Sequence, residues 1–320
     1  MTRTLLCDML GIDFPIIQAG MGPFTSAELV AAVSNAGALG SLGAGGRNID
    51  DFKTQLKRVR ELTDRPFAVN FTLQDSVDDD AFSKALAARP AIITFALGDP
   101  GNRVKEVHDA GIRVMLQCTT ASHARQAVRL GVDVIIAQGA EAGGFGGAVT
   151  TLSLLPQVVD IAGSIPVVAA GGIADGRGLA AALILGAQGI NIGTRFLASN
   201  EAPISIQWKN NILDAESEDT IKFDVWNDIF PPGEYKFLTV PRVLPSNFVA
   251  EWLDRNADAV RERPRLQGEI GTAIEEGRFG DLLPFTGQTA GLIHEILPAG
   301  EIVRRIMTEA EETLKAARNT

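Results

Sequence analysis

Short runs of four or five apolar residues recur along the chain. Each is followed by a small or glycine-bearing turn and then by a stretch with apolar residues every three or four positions. The short runs lie at 15–18, 39–42, 67–70, 91–94, 113–117, 134–137, 166–170 and 189–192. Continuous apolarity over so few residues predicts strands of a parallel sheet, buried on both faces. The stretches at 26–35, 50–62, 78–88, 102–110, 122–130, 152–161 and 178–185 have the helical period. Ser26 and Asp175 stand at helix N-cap positions. Gly37, Gly111, Gly131 and Gly186 each fall between a helix and the next strand, a repeated helix stop. Eight strands, nearly all followed closely by helices, predict an α/β chain folded as a (β/α)8 barrel. A doubly wound open sheet would carry a GxGxxG turn after its first strand, and AGMG at 19–22 lacks that spacing.

The pattern breaks between residues 206 and 280. This segment holds Trp208, Trp226 and Trp252, the only tyrosine (Tyr235) and the turn Pro231-Pro232-Gly233. Residues 247–263 predict one amphipathic helix with Phe248, Trp252, Ala259 and Val260 on its buried side. The expected division is a barrel of residues 1–205 plus 281–320, with a mainly helical subdomain at 206–280 inserted before a last barrel helix at 299–317. Its aromatics suit a cap over the barrel mouth, a dimer surface, or simply the packing of the subdomain.

The richest chemistry lies at 165–196. Two successive strands there end in glycine-bearing turns, Gly171-Gly172 and Gly193-Thr194. Backbone N–H groups exposed at two such turns on one side of a sheet form a site for a phosphate dianion. In a barrel the loops after the seventh and eighth strands are the usual place for one. Composition narrows the rest. The net charge of −10 and the absence of a Lys/Arg cluster argue against nucleic acid or an anionic membrane as partner. No apolar run approaches the ~18 residues of a membrane span. Cys7 and Cys118 are the only cysteines. They fit a reducing cytoplasm and offer neither metal-ligand spacing nor a nucleophile paired with a base.

Six stretches, in order, resemble the nitronate monooxygenase (2-nitropropane dioxygenase) family of FMN-dependent barrels. They are PIIQAGM at 15–21, VNFTL at 69–73, GAEAGGFGG at 139–147, AAGGIADGRG at 169–178, NIGTRF at 191–196 and TGQTAGLI at 286–293. The resemblance implies FMN, with its phosphate on Gly171, Gly172, Gly193 and Thr194. The backbone of Ala19, Gly20 and Met21 would pass the isoalloxazine ring. The amides of Asn70, Gln117 and Gln138 can offer donor and acceptor to its uracil-like edge. Gly287 and Gln288 would return over the cofactor. Some relatives place lysine and aspartate where this chain has Gln117 and Gln138, so two charges would be exchanged for neutral amides.

One departure outweighs the matches. The family's catalytic histidine belongs in the glycine loop, where this chain has Phe145, and a phenyl ring cannot accept a proton. Glu141, in the same loop, is expected to order it. His123 is expected to face solvent in a first helical turn, and His108 and His294 lie away from strand ends. The expected activity is FMN-dependent oxidation of an alkyl nitronate by O2 to a carbonyl compound and nitrite, weak on neutral nitroalkanes. Two alternatives share the scaffold: an NAD(P)H-dependent quinone or enoyl reductase, and a catalytically idle flavin-binding protein. A homodimer is compatible with either.

Overall fold

In the computed structural model, which describes residues 3–73, 77–232 and 239–318, the buried apolar runs pair side by side. They form β1 (Ile16–Gln18), β2 (Gly40–Gly43), β3 (Phe67–Thr72), β4 (Ile92–Ala96), β5 (Arg113–Cys118) and β6 (Val134–Gln138). After a glycine-rich loop that carries the short β7 (Gly144–Gly146) come β8 (Val167–Ala170) and β9 (Gly189–Ile192). The parallel order is β1-β9-β8-β6-β5-β4-β3-β2. A bridge between Ile17 and Leu39 joins the two edges. Gln18 N donates to Leu39 O and Leu39 N to Ile16 O, each at 2.9 Å. The Gln18 side chain adds to the seam by accepting from Ser41 N at 3.0 Å. The sheet is therefore a nearly closed eight-stranded barrel, its two end strands joined by that bridge.

Alternation along the strands sorts their side chains into two apolar clusters. Ile16, Val69, Ile93, Val114, Ile135, Ala169 and Ile190 point outward to the helices. Ile17, Leu39, Ala68, Ile92, Met115, Val134, Ile136 and Val168 fill the barrel together with Leu6, Leu10 and Ile12. The last three come from a helix the sequence did not announce, Leu5–Leu10, and the residues after it. It plugs the end where the strands begin. Gly189 lets it seat, since a Cβ there would lie 2.7 Å from Leu6 Cδ2. Leu6→Ala should cost about 2–5 kcal/mol in urea denaturation; an unchanged midpoint would show that the plug carries no load.

The four expected glycine stops adopt positive φ, between 72° at Gly111 and Gly131 and 96° at Gly186. Asp175 caps the helix Gly176–Ile184, accepting from Arg177 N and Gly178 N at 3.0 and 3.2 Å. The last barrel helix is Ala299–Ala317.

The inserted segment is mainly helical but also contributes sheet. β10 (Ile221–Lys222) and β11 (Val240–Val243) pair antiparallel, and β11 pairs in turn with β7. Phe223, Ile229, Phe248, Trp252, Leu266 and Ile270 form a separate apolar cluster beneath. The single helix expected at 247–263 is instead two short ones, Asn247–Trp252 and Asn256–Arg261, before a third at Arg263–Glu275. Asp254, at φ 62°, turns the chain between them; aspartate tolerates that left-handed geometry better than most residues. Trp252 and Ala259 stay buried, whereas Val260 is 45% exposed on the far side of the break. Gly233 and Tyr235 lie outside the described residues.

Candidate active site

All eight barrel strands end at one mouth, and the chemistry gathers there. Stepping two residues along five strands from the apolar interior layer gives Ser41, Asn70, Thr94, Gln117 and Gln138. A polar layer thus sits on an apolar floor. Asn70 Nδ2 donates to Gly20 O at 3.1 Å, fixing the turn after β1. Gly20 must be glycine, because a Cβ there would fall 2.3 Å from Asn70 Cβ. Gln117 Nε2 donates to Gln138 Oε1 at 2.7 Å, so these two amides form one unit. Thr94 is buried, and its hydroxyl has no hydrogen-bond partner among the described residues. A buried hydroxyl left unpaired costs about 1–3 kcal/mol, a debt that a polar ligand edge would cancel.

The two glycine turns lie side by side. Ala170 of β8 is in register with Asn191 of β9, which places Gly171-Gly172 beside Gly193-Thr194. Gly171 and Gly172 have φ of 88° and 74°. A Cβ on Gly193 would meet Met21 Sδ at 3.3 Å, so residues 19–21 adjoin this turn. The Thr194 hydroxyl accepts from Gly287 N at 2.9 Å, which leaves its proton free to donate. Gln288 N donates to Glu141 O at 2.9 Å. The C-terminal Gly287-Gln288 segment therefore lies on both the β9 turn and the glycine loop.

Glu141 acts as a tie. Its carboxylate accepts from Thr151 N at 3.0 Å, and the Thr151 hydroxyl reaches Glu141 Oε2 at 3.0 Å and Gly171 O at 2.8 Å. With these bonds it fastens the loop to the next helix and to the β8 turn.

Phe145 stands in β7 opposite Pro241. Its ring makes edge contacts with Trp226 (5.4 Å between centroids) and Phe285 (5.3 Å). Aromatic contacts continue through Phe279 and Phe24 to Trp208. Since Phe24 follows β1 and Phe145 follows β6, this aromatic chain spans the mouth.

A family model described as nitronate monooxygenase matches residues 3–88 and 82–309. The chain belongs to the nitronate monooxygenase family. It is 34% identical to a probable nitronate monooxygenase of Staphylococcus aureus, over 98% of this chain and 99% of that one. It is 38% identical to the Mycobacterium tuberculosis (3aS,4S,5R,7aS)-5-hydroxy-7a-methyl-1-oxo-octahydro-1H-indene-4-carboxyl-CoA dehydrogenase. That match takes in 68% of this chain and 62% of the relative's length. Among solved structures, FabK from Thermotoga maritima superposes with a TM-score of 0.88 at 36% identity, covering 100% of this chain and 99% of FabK. Membership makes the protein an oxidoreductase of an FMN-dependent superfamily.

The titratable groups of this nitronate monooxygenase family member give no ready base on the loop. His123 does not face solvent: its ring is half-buried with Nδ1 3.1 Å from Thr119 Oγ1, and burial lowers its pKa to about 4. Burial enforces this because the charged imidazolium loses water it cannot replace. Thr119 in turn packs against Gly147 at the end of the loop. His108 pairs with Asp133 at 2.8 Å on an outer helix, and His294 is exposed. Burial pushes the Cys118 thiol well above its ordinary value, which leaves it protonated. No His, Cys, Asp or Glu cluster suited to a metal occurs among the described residues. None of their helices is long and apolar enough to cross a membrane.

Sequence reasoning missed Ser41 and Thr94, which a count by twos along the strands would have found. It also missed Lys222 and Arg242. Both reach from the inserted segment to carbonyls of the glycine loop, and nothing in their neighbours marks that use.

Proposed function

We propose that this protein holds FMN over the polar layer and oxidises alkyl nitronates with O2 to a carbonyl compound and nitrite. The residues present fit the group. Gly171, Gly172, Gly193 and Thr194 would hold its phosphate with backbone N–H groups and one hydroxyl. Asn70, Gln117 and Gln138 would meet the polar ring edge, and the unpaired Thr94 hydroxyl would gain a partner. Ala19, Gly20 and Met21 would run behind the ring, and Gly287 and Gln288 would cover it. In this reading residues 1–205 and 281–320 build the cofactor site, and 206–280 contribute Trp208, Trp226 and Phe279 to the aromatic wall. Bound there, the flavin would supply a two-electron acceptor for a carbanionic carbon and a donor to O2.

The observation that carries the substrate class is Phe145 locked between Trp226 and Phe285. An apolar ring at that position excludes water and cannot take a proton. A nitronate is already an anion, so the residues need only bind and orient it. A neutral nitroalkane must first lose its α-proton, and the loop's carboxylate, Glu141, is already engaged by Thr151.

Purified protein should be yellow with bound FMN. Anaerobic mixing with propionate 3-nitronate should bleach it, whereas nitroethane should act at least about 100-fold more slowly, the scale of a lost general base. Rapid bleaching by NADH with no response to nitronate would favour an NAD(P)H-dependent reductase of a quinone or enoyl compound. FMN held without response to any of these would mark an idle binder. A colourless preparation that refuses FMN would end the proposal.

A further inference from the structure

Two cations of the inserted segment hold the glycine loop by its carbonyls. Arg242 Nε and Nη2 donate to Ala140 O at 3.2 and 3.1 Å, while Nη1 turns back to Thr220 O at 2.8 Å. Lys222 Nζ donates to Gly146 O at 3.1 Å, Gly147 O at 3.2 Å and Val240 O at 3.1 Å. Lys222 belongs to β10, the outer strand of the small sheet, and its side chain passes β11 to reach carbonyls of β7 and of the residue after it. Gly146 leaves room for it, since a Cβ there would sit 3.3 Å from Nζ. All three ammonium protons are thus spent on two strands that otherwise share only a short ladder. The residue next to those carbonyls is Phe145.

We propose that Lys222 is a positioning residue: its side chain fastens the Phe145-bearing edge of the glycine loop over the barrel mouth. Its three donors meet three carbonyls, a match that no apolar side chain reproduces. The contacts are those of the protein alone, so the inference does not require FMN. It goes beyond the proposed function by giving the aromatic wall a fastening in the inserted segment.

Burial lowers the Lys222 pKa from 10.5 to about 8, helped by neighbouring Arg242 on β11 and opposed by Glu141 of the loop. The sign is the informative part. Between the folded and ordinary values the unfolded chain binds the proton and the native one does not, so global stability rises with pH in that window. By the same linkage an edge opened to water binds the proton more tightly than the closed one, so raising the pH through that window does not loosen the edge.

Trp226 reports the edge, because its ring lies against Phe145. Its fluorescence is taken as the difference between the holoprotein and its Trp226→Phe variant. Acrylamide quenching of that signal at pH ~7 should be about twofold higher in Lys222→Met and in Lys222→Ala than in the natural protein, as the edge opens locally. Lys222→Arg should keep the low value. In turnover of propionate 3-nitronate, Lys222→Met should raise KM about fivefold with kcat within about twofold, a loss of positioning rather than of chemistry. Quenching in Lys222→Met and Lys222→Ala no higher than in the natural protein would overturn the proposal. Lys222→Ala keeps the test readable if Lys222→Met fails to fold.

Discussion

Phe145→His is expected to raise nitroethane turnover by about 10²–10⁴-fold, the range a positioned general base contributes. Under the proposed function, the substitution puts an imidazole at the loop position where a general base would act. The edge contacts that hold the phenyl ring at 5.4 and 5.3 Å from Trp226 and Phe285 should hold the new ring as well. Some aromatic stabilisation is lost, about 0.5–1.5 kcal/mol per contact, which is small against the barrier removed. Desolvation by the same rings keeps the imidazole neutral, the form that accepts a proton. Turnover of a preformed nitronate should change little, because that substrate has no α-proton to give up in this step. Nitrite release measured with both substrates separates the two effects, and Phe145→Leu serves as a control with no base. A histidine variant no faster on nitroethane than the leucine variant would show that position 145 does not face the substrate.

The barrel was legible because its signals are local and repeated. Apolar runs too short for helices, glycine stops such as Gly111 and Gly131, and the Asp175 cap each follow from backbone sterics or hydrogen bonding within a few residues. The side-by-side turns at Gly171 and Gly193 were legible for the same reason, once parallel strands were accepted as neighbours. Gln117 and Gln138 stand at or next to strand ends and Asn70 two residues short of one, and that position fixes which mouth a side chain faces.

What escaped depends on contacts far apart in sequence. The plug Leu5–Leu10 is too short for its periodicity to register, and its burial exists only because Gly189 opens a seat for Leu6. β10 has two residues and β7 three, so neither shows alternation. Lys222 and Arg242 look like ordinary surface cations until the small sheet brings loop carbonyls to them. Polar residues of a first helical turn often point outward, but His123 is turned in by Thr119. Val260 went the other way, because Asp254 breaks the helix whose periodicity had placed it inside.

Gly171→Ala should lower FMN affinity by at least about 100-fold, near 2.7 kcal/mol. Two independent penalties meet at this residue. Its φ of 88° is strained for any residue with a Cβ. The added carbon would also lie 2.9 Å from Gly139 O and 3.1 Å from Ala142 N, main-chain atoms that cannot swing aside. Relief requires moving the β8 turn, the glycine loop, or both, and either motion spreads the backbone pocket assigned to the phosphate. Gly111→Ala separates strain from site. Its φ of 72° carries a similar backbone cost, of order 1–2 kcal/mol, yet nothing lies within 4 Å of the new carbon and the residue stops a helix remote from the mouth. It should lower the denaturation midpoint and leave FMN affinity within about twofold. Equilibrium titration of both apoproteins with FMN, alongside urea denaturation, decides the matter. If Gly171→Ala binds FMN as tightly as Gly111→Ala does, the phosphate is not held at the β8 turn. The polar layer beneath would then have to account for cofactor binding without it.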